Sequence, residues 1–406
     1  MNAADTVFVL FSAALVMLMT PGLALFYGGM VRRKNVLGTV MQSFIILAVI
    51  TVEWVLWGYS MAFGPDHGGV TGGLEWFALA GVGMNPSPDY GSSIPHGAFM
   101  IFQCMFAVLT PALITGAFAE RMKFNAFLLF TLAWATLVYN PLCHWVWGVG
   151  GWIGAMGALD FAGGTVVHIS SGVSAFAAAL FMGRRLGYGR TAFIPHNLPM
   201  TVTGAAILWF GWFGFNAGSA LACNGVAANA FVGTHVASAS AALVWVIVEW
   251  VHRGKPTTLG AASGAVAGLV AITPAAGFVG PVSSLLIGGA AGGICYGGVL
   301  LKTVIGYDDS LDVVGIHGLG GTWGALATGL FASTAVNADG ANGLFFGNAG
   351  QLWIQFLSVL VTMVFAFVMT LAILKAVDLL VGTRLPQEAE EKGLDLVLHN
   401  ETGYSL

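Results

Sequence analysis

Charged side chains are scarce in this chain of 406 residues. Asp, Glu, Lys and Arg make up 8% of it, whereas soluble domains carry about a quarter, because charge keeps a water-facing surface solvated. The composition therefore excludes a soluble globular protein. The net charge is −4 and the longest basic run is Arg32, Arg33 and Lys34, so the electrostatic footprint of a nucleic-acid-binding protein is also missing.

Cysteine is scarce too. The four cysteines, Cys104, Cys143, Cys223 and Cys295, lie far apart and form no C-x-x-C pair of the kind that indicates a zinc or redox site. We interpret them as packing residues and leave open a disulfide between Cys143 and Cys223. We expect no metal site and no cofactor.

Apolar residues are abundant, at 57% of the chain with a mean hydropathy of +0.84. Only helices and closed barrels satisfy their backbone hydrogen bonds in lipid, and runs such as 127–137 and 352–374 are apolar on every face, unlike barrel strands. We therefore predict an all-α integral membrane protein. Its eleven predicted spans are 6–31, 36–63, 96–119, 124–142, 161–183, 198–217, 226–250, 258–273, 278–302, 313–333 and 351–382.

The basic residues indicate how these spans are oriented. All fourteen Lys and Arg residues follow odd-numbered spans, lie towards the ends of the ninth and eleventh spans or lie in the tail, and cytoplasmic loops collect such residues. This pattern predicts an outside amino terminus and a cytoplasmic carboxyl terminus in a multi-pass protein of the cell inner or plasma membrane. We expect no separate signal peptide before the first span.

Eleven spans are one more than twice five, and a repeat unit with an odd number of spans inserts its second copy upside down. We predict a transmembrane domain over 1–382, with half-repeats 1–183 and 198–333 inverted relative to each other and 351–382 as the final helix. The substrate route would lie between the halves. For the tail, 383–406, composition favours a solvated segment over a regulatory contact segment.

Ionisable residues inside the spans are functional candidates, because burying charge in hydrocarbon costs several kcal/mol. We expect Glu53 and Glu249 to be satisfied by hydrogen bonds between helices. His168 and His317 admit two interpretations, a structural hydrogen bond to the backbone or a neutral imidazole pair lining a pore. Asp160 is best explained as a helix cap, with attraction of a cation as the alternative.

Aromatic residues near the predicted outer helix ends suggest a cation site. Trp147 and Ser219 lie at such ends, with Phe102, Phe106 and Phe215 at similar depth. Ring faces attract a small cation, and a hydroxyl accepts a hydrogen bond from one that can donate. No G-x-S-G, G-x-G-D or H-E-x-x-H motif is present, so we do not expect an enzyme.

Five segments closely resemble the ammonium transporter family. They are FQCMF at 102–106, GAFAER at 116–121, GALDFAGGTVVH at 157–168, WFGWFGFNAGS at 209–219 and DVVGIHG at 312–318. The resemblance runs from the first span to the tail. It implies an eleven-helix protomer, a homotrimer with one pore in each protomer, and ammonium, ammonia and methylammonium as substrates.

The resemblance also implies site residues by position. It implies an outer ammonium site of Phe102, Phe106, Trp147 and Ser219 with Asp160 as the nearby essential acid, a gate of Phe106 and Phe215, and pore-lining residues His168, His317, Phe26, Tyr27, Leu208 and Trp212. The Trp and Ser favour an ammonium-scavenging transporter over the Rh-type relatives. Cys104 and Met105 depart from the small residues that many members carry.

The expected mechanism separates ammonium into ammonia and a proton, because an intact ion would lose its hydration in an apolar pore. Net transport would then be electrogenic. An electroneutral ammonia channel and an ammonium sensor of the same family are the alternatives. The resemblance further implies a regulatory role for the tail, with a PII-type signal protein as a possible partner at the cytoplasmic face.

Overall fold

Long apolar helices dominate the computed structural model, which describes residues 1–404. We number the main helical segments in chain order: α1 (Ala3–Met30), α2 (Val36–Glu53, continued by Trp54–Gly58 and Tyr59–Phe63), α3 (His96–Phe118), α4 (Phe124–Trp134, continued by Ala135–Tyr139 and Asn140–Trp147), α5 (Gly164–Ile169, continued by Ser170–Met182), α6 (Leu198–Gly218), α7 (Gly225–Arg253), α8 (Thr258–Ile272), α9 (Pro281–Ile305), α10 (Val314–Leu319, continued by Gly320–Phe331) and α11 (Ala349–Val381).

Short elements occupy the loops and the tail. A small antiparallel hairpin pairs β1 (Asp66–His67) with β2 (Thr71–Gly72) in the loop that follows α2. Single helical turns are formed by Arg33–Asn35, Phe77–Leu79, Trp152–Ala155 and Leu344–Phe346, and the tail contains α12 (Gln387–Lys392) and α13 (Leu394–His399).

Each predicted span coincides with one of these segments. Within residues 1–404, nine helical segments are long and apolar enough to cross a membrane, whereas α8 and α10 are shorter. The prediction of an all-helical, multi-pass membrane protein is confirmed. The count of eleven membrane crossings stays a prediction.

Side-chain caps mark where several helices begin. The side-chain oxygens of Asn2, Asn197, Asn224 and Thr257 accept hydrogen bonds from backbone amides of the first turns of α1, α6, α7 and α8, at 2.9 to 3.0 Å. Such a cap satisfies an amide that has no partner within the helix and contributes about 1 kcal/mol.

Four segments widen into π-helical turns. Trp54–Gly58 and Ala135–Tyr139 interrupt α2 and α4, whereas Gly164–Ile169 and Val314–Leu319 form the starts of α5 and α10. Turns of this kind shift the register of side chains and are frequent at functional sites. The last two contain His168 and His317.

Close helix packing depends on small residues. α1 packs along α6, and the π-helical starts of α5 and α10 meet. A Cβ atom at Gly172 would lie 2.1 Å from the backbone nitrogen of Gly318, and one at Gly288 would lie 2.1 Å from the carbonyl oxygen of Ala237. Glycine is therefore required at both crossings, as is common in lipid-embedded bundles. The division into inverted halves stays a prediction.

Both buried glutamates accept hydrogen bonds from neighbouring elements, although the Oε2 of Glu53 has no partner within the described residues. Glu53 on α2 accepts hydrogen bonds from Asn140 (2.8 Å) and Thr136 (3.2 Å) on α4. Glu249 near the end of α7 accepts from the backbone nitrogen of Thr257 at 3.0 Å, just before α8. Within residues 1–404 all four cysteines are free, so the disulfide that the sequence left open does not form.

The tail is folded against the segments that follow α1, α3 and α5, so the interpretation of a solvated segment is wrong. Leu394 is 1% exposed, and the backbone nitrogen of Gly38 donates to the Asp395 carboxylate at 2.8 Å. Arg384 pairs with Glu390 at 2.6 Å and also donates to the carbonyl oxygen of Met182. Composition did not reveal this because several of the polar groups of the tail are paired with residues far away in the sequence.

Candidate functional site

A cavity of about 410 Å³ opens at the end of the molecule where α3 and α7 begin and α4 and α6 end. Its wall combines aromatic rings with a few polar side chains. The lining residues are Phe63, Asp89, Tyr90, Phe99, Gln103, Phe106, Trp147, Asp160, Phe161, Ser219, Ala220, Leu221, Asn224, Val226, Phe278, Asn337 and Asp339. We call this cavity the outer cavity.

Asp160 anchors the start of α5 beside the outer cavity. Its Oδ1 accepts from the backbone nitrogens of Gly163 (2.8 Å) and Gly164 (2.6 Å), and its Oδ2 accepts from the nitrogen of Thr165 (2.8 Å) and from the hydroxyl of the same residue. Gly163 has a φ of 114°, a conformation that favours glycine. The carboxylate therefore caps the helix, as the first interpretation of Asp160 expects.

Trp147 and Ser219 both line the outer cavity, and they differ in their capacity for hydrogen bonding. The indole nitrogen of Trp147 donates to the carbonyl oxygen of Asp160 at 2.8 Å, which fixes the ring. The Ser219 hydroxyl donates to the carbonyl oxygen of Phe215 at 2.9 Å. The lone pairs of this hydroxyl remain able to accept a hydrogen bond from a ligand.

Phe106, which lines the outer cavity, is in ring contact with Phe215. The centroids of Phe106 and Phe215 lie 4.3 Å apart, and Trp147 meets Phe106 at 6.1 Å with an interplanar angle of 87°. Phe102 is fully buried and packs on Phe106 at 5.0 Å, so it does not line the cavity. Phe102 therefore lies behind Phe106, whereas the other residues predicted for the outer ammonium site line the cavity.

The two histidines meet directly below these rings. The Nδ1 atoms of His168 and His317 are 3.2 Å apart, so one ring donates a hydrogen bond to the other. His168 is stacked between Phe215 at 6.0 Å, Trp212 at 5.4 Å and His317 at 5.3 Å. Its Nε2 has no hydrogen-bond partner within the described residues. The structural alternative, in which each histidine bonds only to backbone, does not match this geometry.

The other predicted pore residues are buried nearby. Trp212 contacts His168, and its indole nitrogen donates to the Thr273 hydroxyl at 2.9 Å. Tyr27 donates its hydroxyl hydrogen to the carbonyl oxygen of Leu113 at 3.0 Å and therefore ties α1 to α3. Phe26 and Leu208 belong to the same hydrophobic core as Phe106 and Phe215.

A second cavity of about 680 Å³ lies at the opposite end, around the start of α10. We call it the inner mouth. Several charged residues line it or lie beside it: Arg32 pairs with Glu120 at 2.7 Å, Arg185 pairs with Asp308 at 2.8 Å, and Lys302 pairs with Asp312. These pairs join the loops that follow α1, α3, α5 and α9.

The pKa values of the loop carboxylates reflect this pairing. Burial would raise the pKa of Glu120, but its hydrogen bond and charge contact with Arg32 hold that pKa below the ordinary value. Burial acts on Asp308 in the same direction, and its hydrogen bond with Arg185 outweighs it, so the pKa of Asp308 is also lowered. Both groups are charged at neutral pH.

Sequence reasoning missed two groups at the site. Thr165 completes the hydrogen bonding of Asp160, and Gln103 lines the outer cavity. For Gln103 a signal existed, because Phe99, Gln103 and Phe106 are spaced by four and three residues and so share one face of α3. Thr165 offered only its position in the first turn of α5.

An apolar helical bundle with a cavity at each end, and a stack of rings and imidazoles between them, defines a multi-pass membrane protein of the transporter class. The model of the Ammonium Transporter Family matches residues 7–404. This chain therefore belongs to the ammonium transporter family.

Similar proteins and structures agree with this assignment. The chain is 57% identical to an ammonium transporter of Bacillus subtilis, over 100% of this chain and 99% of that protein. It is 47% identical to Ammonium transporter Amt1 of Archaeoglobus fulgidus over the full length of both. Among solved structures, Mep2 of Candida albicans matches with a TM-score of 0.90 and 36% identity, covering 96% of this chain and 87% of that one. A structure described as a sensor Amt protein matches with a TM-score of 0.90 and 28% identity, covering 98% of each chain.

Proposed function

We propose that this protein binds ammonium in the outer cavity, removes its proton there and conducts ammonia past the two histidines. The observation that carries the proposal is the buried pair of imidazoles, with Nδ1 atoms 3.2 Å apart, directly below the rings of Phe106 and Phe215. Ammonium, ammonia and methylammonium are the proposed substrates. The proton leaves ammonium by a separate polar or histidine-linked route.

The outer cavity suits a small cation that donates hydrogen bonds. The ring of Phe106 and the indole of Trp147 line it, and a desolvated cation gains about 2 kcal/mol or more from such ring faces. Ser219 offers a hydroxyl that accepts a hydrogen bond, and Asp160 provides a buried negative charge nearby. Phe102 supports Phe106 from behind. Together these residues form the proposed outer ammonium site.

Ammonium loses its proton because moving a charge beyond the outer cavity is costly. Below the cavity, Phe106 and Phe215 form the proposed gate, and the path beyond it is lined by apolar residues and the histidine pair. A charge in such surroundings costs several kcal/mol, whereas neutral ammonia avoids that cost. His168 and His317 supply the polar contacts for ammonia and a hydrogen bond through which a proton passes. Phe26, Tyr27, Leu208 and Trp212 line or support this part of the path.

Separate movement of the proton makes net transport electrogenic. Each ammonium ion then carries one charge inward, and a membrane potential contributes about 2.3 kcal/mol per 100 mV. Electrophysiology on proteoliposomes, comparing ammonium, methylammonium and potassium, tests this directly. We expect currents with the first two and none with potassium. Uptake without current would reject electrogenic transport and leave an electroneutral ammonia channel.

A sensor role is the second proposal, and two observations favour it. The solved sensor Amt protein has the same fold, and the tail of this chain is docked on the segments that follow α1, α3 and α5 rather than free. Uptake of radiolabelled methylammonium in cells that lack other ammonium transporters separates the two roles. Robust uptake supports a transporter, whereas binding without uptake supports a sensor.

The proposed arrangement in the membrane follows from the distribution of basic residues. The protein lies in the inner or plasma membrane with the outer cavity and amino terminus outside and the inner mouth and tail in the cytoplasm. It assembles as a homotrimer with one pore in each protomer. A PII-type signal protein, where the cell has one, binds at the inner mouth, whose arginines and lysine line a cavity of about 680 Å³.

A further inference from the structure

Most polar groups of the outer cavity already use their hydrogen-bonding capacity. Both carboxylate oxygens of Asp160 accept from the start of α5, and the Trp147 nitrogen donates to a carbonyl. Asn224 caps α7 through its Oδ1, and the Oδ1 of Asn337 accepts from the backbone nitrogen of Asp339 at 3.1 Å. None of these groups is a free acceptor close to the rings of Phe106 and Trp147.

The remaining acceptors differ in how deeply they lie. The carboxylates of Asp89 and Asp339 are exposed at the mouth of the cavity, where water solvates them. Deeper in the cavity, the Ser219 hydroxyl donates to Phe215 and keeps its lone pairs. One further oxygen remains, the Oε1 of Gln103; this residue lines the cavity, and the oxygen itself is buried at the cavity wall.

Gln103 presents an unusual acceptor. Its Oε1 is buried and has no hydrogen-bond partner within the part of the chain that the structure describes. Buried polar atoms almost always have a partner, so an exception at the wall of a cavity indicates a ligand or an ordered water. The neighbouring helical positions, Phe99 and Phe106, line the same cavity and contribute no polar atom.

We propose that Gln103 Oε1 is a second hydrogen-bond acceptor for the ammonium ion and acts with Ser219 Oγ to select it. This inference rests on the proposed function of the outer cavity. Ammonium directs four N–H groups tetrahedrally, so two can meet the oxygens while the others face rings. Potassium is selected elsewhere by rings of carbonyl oxygens that replace its hydration shell, and two oxygens do not supply such a shell.

Two substitutions test the role of the oxygen. Gln103→Met keeps the approximate volume and removes the acceptor, whereas Gln103→Glu keeps an acceptor oxygen at the same reach. We measure ammonium binding to the purified full chain by calorimetry and ammonium currents in proteoliposomes. Since hydrogen bonds to charged groups are the stronger ones, Gln103→Met should weaken binding and raise half-saturation about tenfold or more, with little change in maximal current. Gln103→Glu should bind at least as tightly as the parent.

A matched glutamine distinguishes substrate contact from a structural role. Gln351 on α11 is buried, and its Nε2 donates to the carbonyl oxygen of Gly157 at 2.9 Å. Gln351→Met should lower the thermal unfolding temperature and leave half-saturation unchanged. Gln103→Met should do the reverse, because it removes an oxygen that has no protein partner within the described residues.

The outcomes separate this inference from the proposed function. Unchanged ammonium affinity in Gln103→Met overturns the inference, and so does a loss of thermal stability without a change in affinity, which would indicate an acceptor satisfied by structural water. If the parent chain binds ammonium but carries no current or uptake, transport is rejected. Weakened binding in Gln103→Met would support the inference even then.

Discussion

The outer cavity and the inner mouth differ in the side chains that form their walls and in whether the polar groups have protein partners. The outer cavity is walled by rings such as Phe106 and Trp147, and its deep acceptors are left free of protein donors. The inner mouth is crossed by ion pairs such as Arg32 with Glu120 and Lys302 with Asp312, and Arg184 there donates to the carbonyl oxygen of Gly306. The difference indicates that polar groups of the outer cavity are available to a ligand, whereas those of the inner mouth hold loops together.

The largest expected effect is at the imidazole pair that lies between the two cavities. Replacing His168 by Ala removes the ring that contacts His317, Trp212 and Phe215. We expect ammonium-driven current in proteoliposomes to be abolished. His235→Ala is a suitable control, because this exposed histidine stacks on Trp209 on the outer surface of the bundle. Near-normal uptake by the His168 variant would return the pair to a structural role.

The next largest effect concerns the outer cavity. Asp160→Asn preserves the shape of the side chain but replaces one accepting oxygen by a donor, which leaves donors at the start of α5 unpaired. Each unpaired buried donor costs about 1–3 kcal/mol, so we expect a clearly lower unfolding temperature and uptake reduced about tenfold or more.

Radiolabelled methylammonium uptake and thermal unfolding in detergent check the Asp160 prediction. Asp339→Asn at the exposed mouth of the same cavity provides the control, since its carboxylate is solvated. Equal effects of the two substitutions would mean that overall negative charge, rather than the cap at Asp160, determines uptake.

At the inner mouth we expect a loss of stability larger than the loss of transport. Arg185→Ala removes the closer of the two arginines that pair with Asp308 and leaves Arg121, at 3.5 Å, as the remaining partner of this buried carboxylate. Breaking a buried pair from one side costs about 3–5 kcal/mol when no partner remains, which sets the upper bound here. The unfolding temperature should fall strongly, while the ammonium concentration for half-maximal current in the folded fraction should change little.

Arg190→Ala tests whether position in the same loop is sufficient for this effect. Arg190 is exposed, so its removal should leave the unfolding temperature close to that of the parent. A raised half-saturation in Arg185→Ala without loss of stability would instead show that the inner mouth takes part in substrate recognition.

The smallest expected effect is a difference in acid stability. The pKa values of Glu120 and Asp308 are lowered by their arginine partners, so their contribution to stability is complete above the ordinary values of 4.5 and 3.8. It is lost as the pH falls through the lowered pKa values of the folded state. Unfolding temperatures measured from neutral pH down to about pH 3 should fall below about pH 4.5, less steeply for Arg185→Ala. Identical acid profiles would show that the pairing contributes nothing.

The positions of the helices were largely predictable, because a membrane span requires about 20 apolar residues and charge interrupts such a run. The predicted second span, 36–63, matches the combined limits of α2. The ninth was placed at 278–302, whereas α9 is Pro281–Ile305. Proline at the first helical position and Gly306 in the left-handed conformation set these limits, and both are stronger signals than the apolar residues Phe278 and Val279.

The site was only partly predictable. Asp160 as a cap followed from its place before α5, and the histidines followed from being ionisable inside spans. The family resemblance placed Phe102 in the outer site, but helix geometry turns Gln103 rather than Phe102 toward the cavity. Residue composition also missed the docked tail, since the partners of its buried polar groups lie more than 300 residues away.

By itself, the sequence determined that this protein is helical, membrane-embedded and short of charge within its spans, because lipid excludes unpaired polar groups whatever the tertiary arrangement. The tertiary structure decided which groups meet. His168 and His317 are 149 residues apart, and their contact depends on how α5 and α10 cross at Gly172 and Gly318. Whether Gln103 Oε1 has a partner was decided in the same way, since a free acceptor is a property of its surroundings and not of its residue type.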